Sequence, residues 1–209
     1  MRRISPILRC LVRVPRSLIV KYPQHVNASG GWYVTPLVAE LAGEHFQMAE
    51  LLRHNGADTN VQCNAWNTPL HLAACYGDVE MVQVLLNLEA DVNIRSNGGM
   101  SPLNYVPVGP VGPGEVPNYP QSLAHVARLL LDRGADINAR NEQSRTSLHS
   151  TAYMGPIEVT RVLLERGADV DAEDNRGRTP FSLANTPFSL TNKEGKTEIM
   201  KLLLEHGAK

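Results

Sequence analysis

Seven histidines, three cysteines and 21 carboxylates are the groups on which this 209-residue chain could build chemistry. His71 and His149 are the imidazoles that an acid–base reading would choose. No two histidines stand at the His-x-x-x-His spacing that puts a metal-binding pair on one helix face, so His54 and His206 make no shared metal site. Cys10, Cys63 and Cys75 are odd in number and lack a Cys-x-x-Cys pair. They argue against a zinc site or a disulfide framework and for a reducing compartment. Asp169-Val170-Asp171-Ala172-Glu173-Asp174 looks like half of a calcium loop, but its sixth position needs glycine for the sharp turn and holds Asp174. An acidic loop tip describes it better. Gly109-Pro110-Val111-Gly112-Pro113-Gly114 is glycine-rich, yet Pro107, Pro110 and Pro113 remove N–H donors that a phosphate nest needs. No metal and no cofactor are expected.

The charge balance narrows the partners. Twenty Lys and Arg against 21 Asp and Glu leave a net charge of −1. Nucleic acid and anionic membrane are bound through clustered positive charge, which this balance does not offer. The most apolar stretch, 96–114, holds four prolines and five glycines and cannot span a bilayer as a helix. Aromatics make up only 5%, so Leu and Ala must supply a core, and such a core is helical. The first 39 residues contain no acid and carry Arg2, Arg3, Arg9, Arg13, Arg16 and Lys21, as a mitochondrial presequence would. Pro6 and Pro15 would break its amphipathic helix, so the cytoplasm is the expected compartment, with the nucleus as the alternative.

What must position these groups is a repeat. Thr35, Thr68, Ser101, Thr146 and Thr179 open five copies spaced 33, 33, 45 and 33 residues apart. A second landmark recurs at Gly56-Ala57-Asp58, Glu89-Ala90-Asp91, Gly134-Ala135-Asp136, Gly167-Ala168-Asp169 and Gly207-Ala208-Lys209. A third, Asn27, Asn60, Asn93, Asn138 and Asp171, precedes each opening by eight residues. The units are therefore 35–67, 68–100, 101–145 with a 12-residue insertion, 146–178, and 179–209 with a 7-residue excess, after a worn or truncated unit at 1–34. Within a unit, Thr68 suits an N-cap and Pro69 the first helical position, where no donor is needed. Gly77-Asp78 turns the chain into a second helix with an apolar stripe at Val79, Val82, Leu85 and Leu86. Asn60 to Asn67 is too short and polar for a helix and suits an extended hairpin loop. No single unit can bury its stripe, so the copies must stack.

Thr68-Pro69-Leu70-His71-Leu72-Ala73-Ala74 and Gly167-Ala168-Asp169-Val170-Asp171 resemble the ankyrin-repeat family across nearly the whole chain. The lead-in at 21–27 looks like those of large fungal ankyrin arrays. The resemblance implies an all-α solenoid of stacked helix pairs with hairpin loops projecting as fingers. It also implies a non-catalytic module that binds another protein through the fingers and the concave helical face, without a cofactor. In that family the histidine at 71 and 149 is structural, tying the helix start to adjacent loops. No nucleophile–base–orienter set is left once the repeat positions are accounted for, so an enzyme is not expected. The partner is expected to be a protein of unknown identity, and the chain a monomer. The alternative is a fragment of a larger regulatory ankyrin protein whose effector domain is absent.

Departures from the pattern single out the candidate binding residues. Two finger positions vary while their neighbours repeat, as side chains serving a partner and not the stack would. The first carries Ser29, Gln62, Arg95, Arg140 and Glu173; the second carries Val34, Asn67, Met100, Arg145 and Arg178. Arg95, Arg140 and Arg145 favour an acidic stretch on the partner. Trp66, where the family has glycine, reads either as an exposed anchor or as packing on the next finger. Tyr33 and Ser144 share that position, and Glu89 replaces a helix-ending glycine. Val38, Asn104 and Ser182 replace the histidine, leaving its network incomplete. The segment 107–121 reads as an extended, partly polyproline-like loop. Thr179 to Asn185 is repeated in six of seven positions by Thr186 to Asn192. One continuous helix cannot hold Pro187, so the first copy is expected to pack and the second to loop out.

Overall fold

The computed structural model describes residues 26–27, 35–37, 40, 45–62, 67–107, 119–154, 156–186 and 193–209. Among them the regular elements are helices, with no strand. In chain order these are α1 (Phe46–His54), α2 (Pro69–Tyr76), α3 (Val79–Asn87), α4 (Pro102–Tyr105), α5 (Tyr119–Asp132), α6 (Ser147–Met154), α7 (Ile157–Glu165), α8 (Pro180–Ala184) and α9 (Lys193–Glu205).

Two layers result. The short inner helices α2, α4, α6 and α8 pack on one another, and the outer helices α3, α5, α7 and α9 do the same. Each pair is closed by local chemistry. Thr68 holds extended backbone before Pro69, and Gly77 ends α2 in the left-handed region. Asp78 then accepts the Met81 amide at 3.0 Å to start α3. Leu70, Leu103 and Leu148 on the inner layer are fully buried, as are Leu52, Leu85, Leu130, Leu163 and Leu203 on the outer one. Each such side chain contributes about 1.5–3 kcal/mol when removed from water. Ala74 and Ala152 let the inner helices approach closely.

The Asn landmark is a clamp between units. Asn93 donates to the Gly134 carbonyl at 3.0 Å and accepts the Asp136 amide at 2.8 Å. Asn27 treats Gly56 and Asp58 the same way, while Asn60 and Asn138 accept the amides of Asp91 and Asp169.

Two sequence expectations meet a different outcome. Residues 119–121, assigned to the extended insertion, form the first turn of α5. Pro120 is tolerated there because the first turn needs no donor. Residues 108–118 lie outside the described residues. Glu89 does not forgo the left-handed cap; it adopts it at φ 62°, as Ser144 does at 58°. Arg53 compensates at Glu89, pairing with its carboxylate and donating from Nε to the Leu88 carbonyl at 3.1 Å. Tyr33 lies outside the described residues. The first copy of the duplicated heptad forms α8, with Leu183 and Ala184 buried; Pro187 to Asn192 of the second lie outside them.

Candidate functional site

The histidines of the inner layer are spent on structure. The Nδ1 of His71 accepts the Thr68 amide at 3.1 Å and the Thr68 hydroxyl at 2.9 Å, so its proton sits on Nε2, which donates to the Met100 carbonyl at 3.0 Å. His149 repeats this with Thr146 and the Arg178 carbonyl. Both rings tie the start of an inner helix to the finger that follows it in the chain, and both must be neutral to do so. Burial pushes each pKa down, outweighing the carbonyl bonds to Met100 and to Arg178 that oppose it. Asn104 corrects the expectation of a broken network. Its Oδ1 accepts the Ser101 amide and hydroxyl at 2.9 Å, and its Nδ2 donates to Ala139 and Ser147 at 3.2 Å. The amide thus reproduces one fixed histidine tautomer and cannot titrate. Ser182 is too short for this and bonds only within its own turn at Thr179.

The fingers are tight hairpins, closed by Ser96 to Met100, Asn141 to Arg145 and Asp174 to Arg178 backbone bonds at 2.9–3.0 Å. Adjacent tips join as well, since Glu142 donates to the Gly98 carbonyl and Asn175 to the Gln143 carbonyl. The candidate binding residues fall on these hairpins with different freedom. Gln62 and Glu173 are exposed. Arg95 is exposed but bonds the Gly99 and Arg140 carbonyls, and Arg140 bonds the Glu173 carbonyl at 2.8 Å. Asn67 accepts the Tyr105 hydroxyl, and the Met100 carbonyl accepts the His71 Nε2–H. Trp66 lies outside the described residues.

Arg145 and Arg178 are half-buried and converge on Asp174, whose side chain is 1% exposed. Its Oδ2 accepts from Arg145 Nε at 3.1 Å and from Arg178 Nε and Nη2 at 3.0 and 2.7 Å. Its Oδ1 accepts the Arg176 and Arg178 amides at 2.9 and 3.1 Å. Burial alone would raise this carboxyl's pKa, but the Arg178 guanidinium, the two amides and Arg145 hold it well below the usual carboxylate range. The acidic tip at 169–174 is corrected at Asp174 alone, since Asp169 and Glu173 are exposed. Asp174 is internal, and Asp171 accepts the Lys209 amide at 3.2 Å. Variability at the second finger position also serves the stack, because a guanidinium with five donors reaches the neighbouring finger.

The concave helical face was expected from the sequence, but none of its residues was singled out for binding. Leu72, Cys75 and Tyr76 of α2, Tyr105 of α4, and Ser150, Tyr153 and Met154 of α6 are half-exposed, while the residues between them are buried. Their spacing of three and four was the available signal. Tyr105 is held in place by its bond to Asn67 and by an edge-on contact with the His71 ring at 5.0 Å. Among the described residues no three His, Cys, Asp or Glu side chains cluster as a metal site would. No helix there is long and apolar enough to cross a membrane.

Comparison with known proteins places residues 51–106 and 120–209 in two family profiles, described as ankyrin repeats in many copies and ankyrin repeats in three copies. A curated relative, the Homo sapiens protein named Ankyrin repeat and SOCS box protein 16, is 32% identical over 122 residues. The match takes in 58% of this chain and 26% of that protein, so the chain spans about a quarter of the relative's length.

Proposed function

The chain belongs to the ankyrin-repeat family, and from that premise we propose that it is a non-catalytic scaffold or adaptor that grips one partner protein between its finger tips and the inner-helix face. Ankyrin repeats are in general protein–protein interaction modules. The observation that carries the reading here is the division of labour: His71, His149, Asn104 and Asp174 are consumed by bonds that hold the helix starts and the fingers in place. The side chains left to solvent lie on the fingers and on the inner-helix face. On the fingers Gln62 and Glu173 are exposed, and Arg95 and Arg140 keep guanidinium donors beyond the carbonyls they touch. Trp66, Asn67, Met100, Arg145 and Arg178 complete the proposed contact set, with Arg145 and Arg178 acting chiefly by setting the finger shape. A cytoplasmic or nuclear monomer without cofactor fits this reading.

The test is a bait experiment with the intact chain and surface variants. Proteins retained by the parent should be lost by Arg140→Glu and by Glu173→Arg, with melting temperature unchanged. Retention that is indifferent to every finger and groove variant would remove the proposal.

A further inference from the structure

The inner helices α2, α4, α6 and α8 share a property that the other helices among the described residues lack. Their sequences, Pro69–Tyr76, Pro102–Tyr105, Ser147–Met154 and Pro180–Ala184, contain no Asp, Glu, Lys or Arg. The histidines beneath their surface are buried and neutral. In a chain with six tyrosines and 5% aromatics, three tyrosines stand on this one face, one to a helix: Tyr76, Tyr105 and Tyr153. The face is thus uncharged and aromatic, and it is bordered by charged fingers.

We infer that this face receives an uncharged polyproline II segment of the partner, with a proline at every third residue. The inference rests on the interaction-module reading above. Charge is the first argument. A charged side chain laid on this face would lose hydration and find no charged group on these helices to pair with. The second is chemistry. Tyrosine offers a flat apolar ring, and a polyproline II segment offers prolyl rings that lie flat against it. Length decides between partner conformations. Packed helices lie about 8–10 Å apart, and one polyproline II turn of three residues advances about 9.3 Å. Crossing α2, α4 and α6, such a segment sets one proline on each helix. An α-helical partner repeats at about 5.4 Å and a strand at about 6.6–6.8 Å, and neither stays in step over three helices. The Tyr105 ring is already fixed by Asn67 and His71, so its ordering costs nothing on binding.

The experiment titrates the full chain into fluorescein-labelled dodecamers and reads anisotropy. One peptide repeats Pro-Val-Gln, a second has the same composition with its prolines clustered, and a third carries Glu in place of Gln. The first should bind about tenfold more tightly than either control. Tyr76→Ala and Tyr153→Ala should each weaken it about fivefold or more, the range of a buried aromatic contact. Ser150→Lys, which places a charge on the face without removing packing, should weaken it likewise and guards against a tyrosine variant that loses stability. Equal affinity for all three peptides, preference for the Glu peptide, or no binding of the first below about 1 mM overturns the inference. A partner retained through the fingers but indifferent to Tyr76→Ala and Ser150→Lys also overturns it, while leaving the module reading standing.

Discussion

Asp174→Asn isolates a charge with little change of shape. Asn141 occupies the same place one finger earlier and accepts the Gln143 and Arg145 amides through its Oδ1. An asparagine at 174 can therefore keep the two backbone bonds and lose only what the second carboxylate oxygen does. That oxygen takes three N–H donors from Arg145 and Arg178; the Asn Nδ2 would face them donor to donor. Removing one partner of a buried ion pair costs about 3–5 kcal/mol. Arg145 and Arg178 are 31% and 32% exposed, so water recovers part of their hydration and the cost falls to the lower end of that range or somewhat below it. A loss of about 2–3 kcal/mol corresponds to roughly 5–10 °C in melting temperature for a chain of this size. Circular dichroism at 222 nm reads it directly. Because the folded carboxyl titrates below its unfolded value of about 3.9, its contribution is complete above that pH and fades as the pH falls through the folded value. The gap between parent and variant should be constant from pH 5 to 8 and close in stronger acid. A variant that melts within a degree of the parent at pH 7 would refute the account of Asp174 as the hub of the two fingers.

Glu89→Gly should raise stability by about 0.5–1 kcal/mol, since relief of the left-handed strain outweighs an exposed ion pair with Arg53; urea denaturation checks it. The double variant His71→Asn, His149→Asn should flatten the acid dependence of stability. Both rings titrate below their ordinary value of about 6.5, so the parent loses their contribution as pH falls from there and the Asn variant, built like Asn104, does not. Melting curves between pH 5 and 7.5 that run parallel for the two proteins contradict this. Leu183→Ala, at a side chain 2% exposed, should cost about 2–4 kcal/mol; a neutral result would mean that α8 does not pack as described.

Much of this architecture was legible because a repeat writes its physics several times. The Thr-Pro-Leu openings, the Gly-Ala-Asp ends and the Asn clamp each answer a local need: a cap, a left-handed turn, a paired amide. Local needs leave residue types at constant spacing, and stacking follows because no unit buries its own stripe. Glu89 and Ser144 were legible as departures, but not their resolution. Whether a side chain bears positive φ or changes the turn depends on what Arg53 and Asn175 supply from neighbouring units. Asn104 looked like a gap in the histidine network because residue type conceals shape; only its position shows an amide spanning the same donors and acceptors. Arg145 and Arg178 varied like binding residues and proved to face Asp174, which is 29 residues from Arg145 in sequence. The sequence by itself determined the unit, its helices and its need to stack. The tertiary structure decided which charges are spent between fingers and which face is left uncharged, because pairing depends on distances across units that spacing within one unit does not contain.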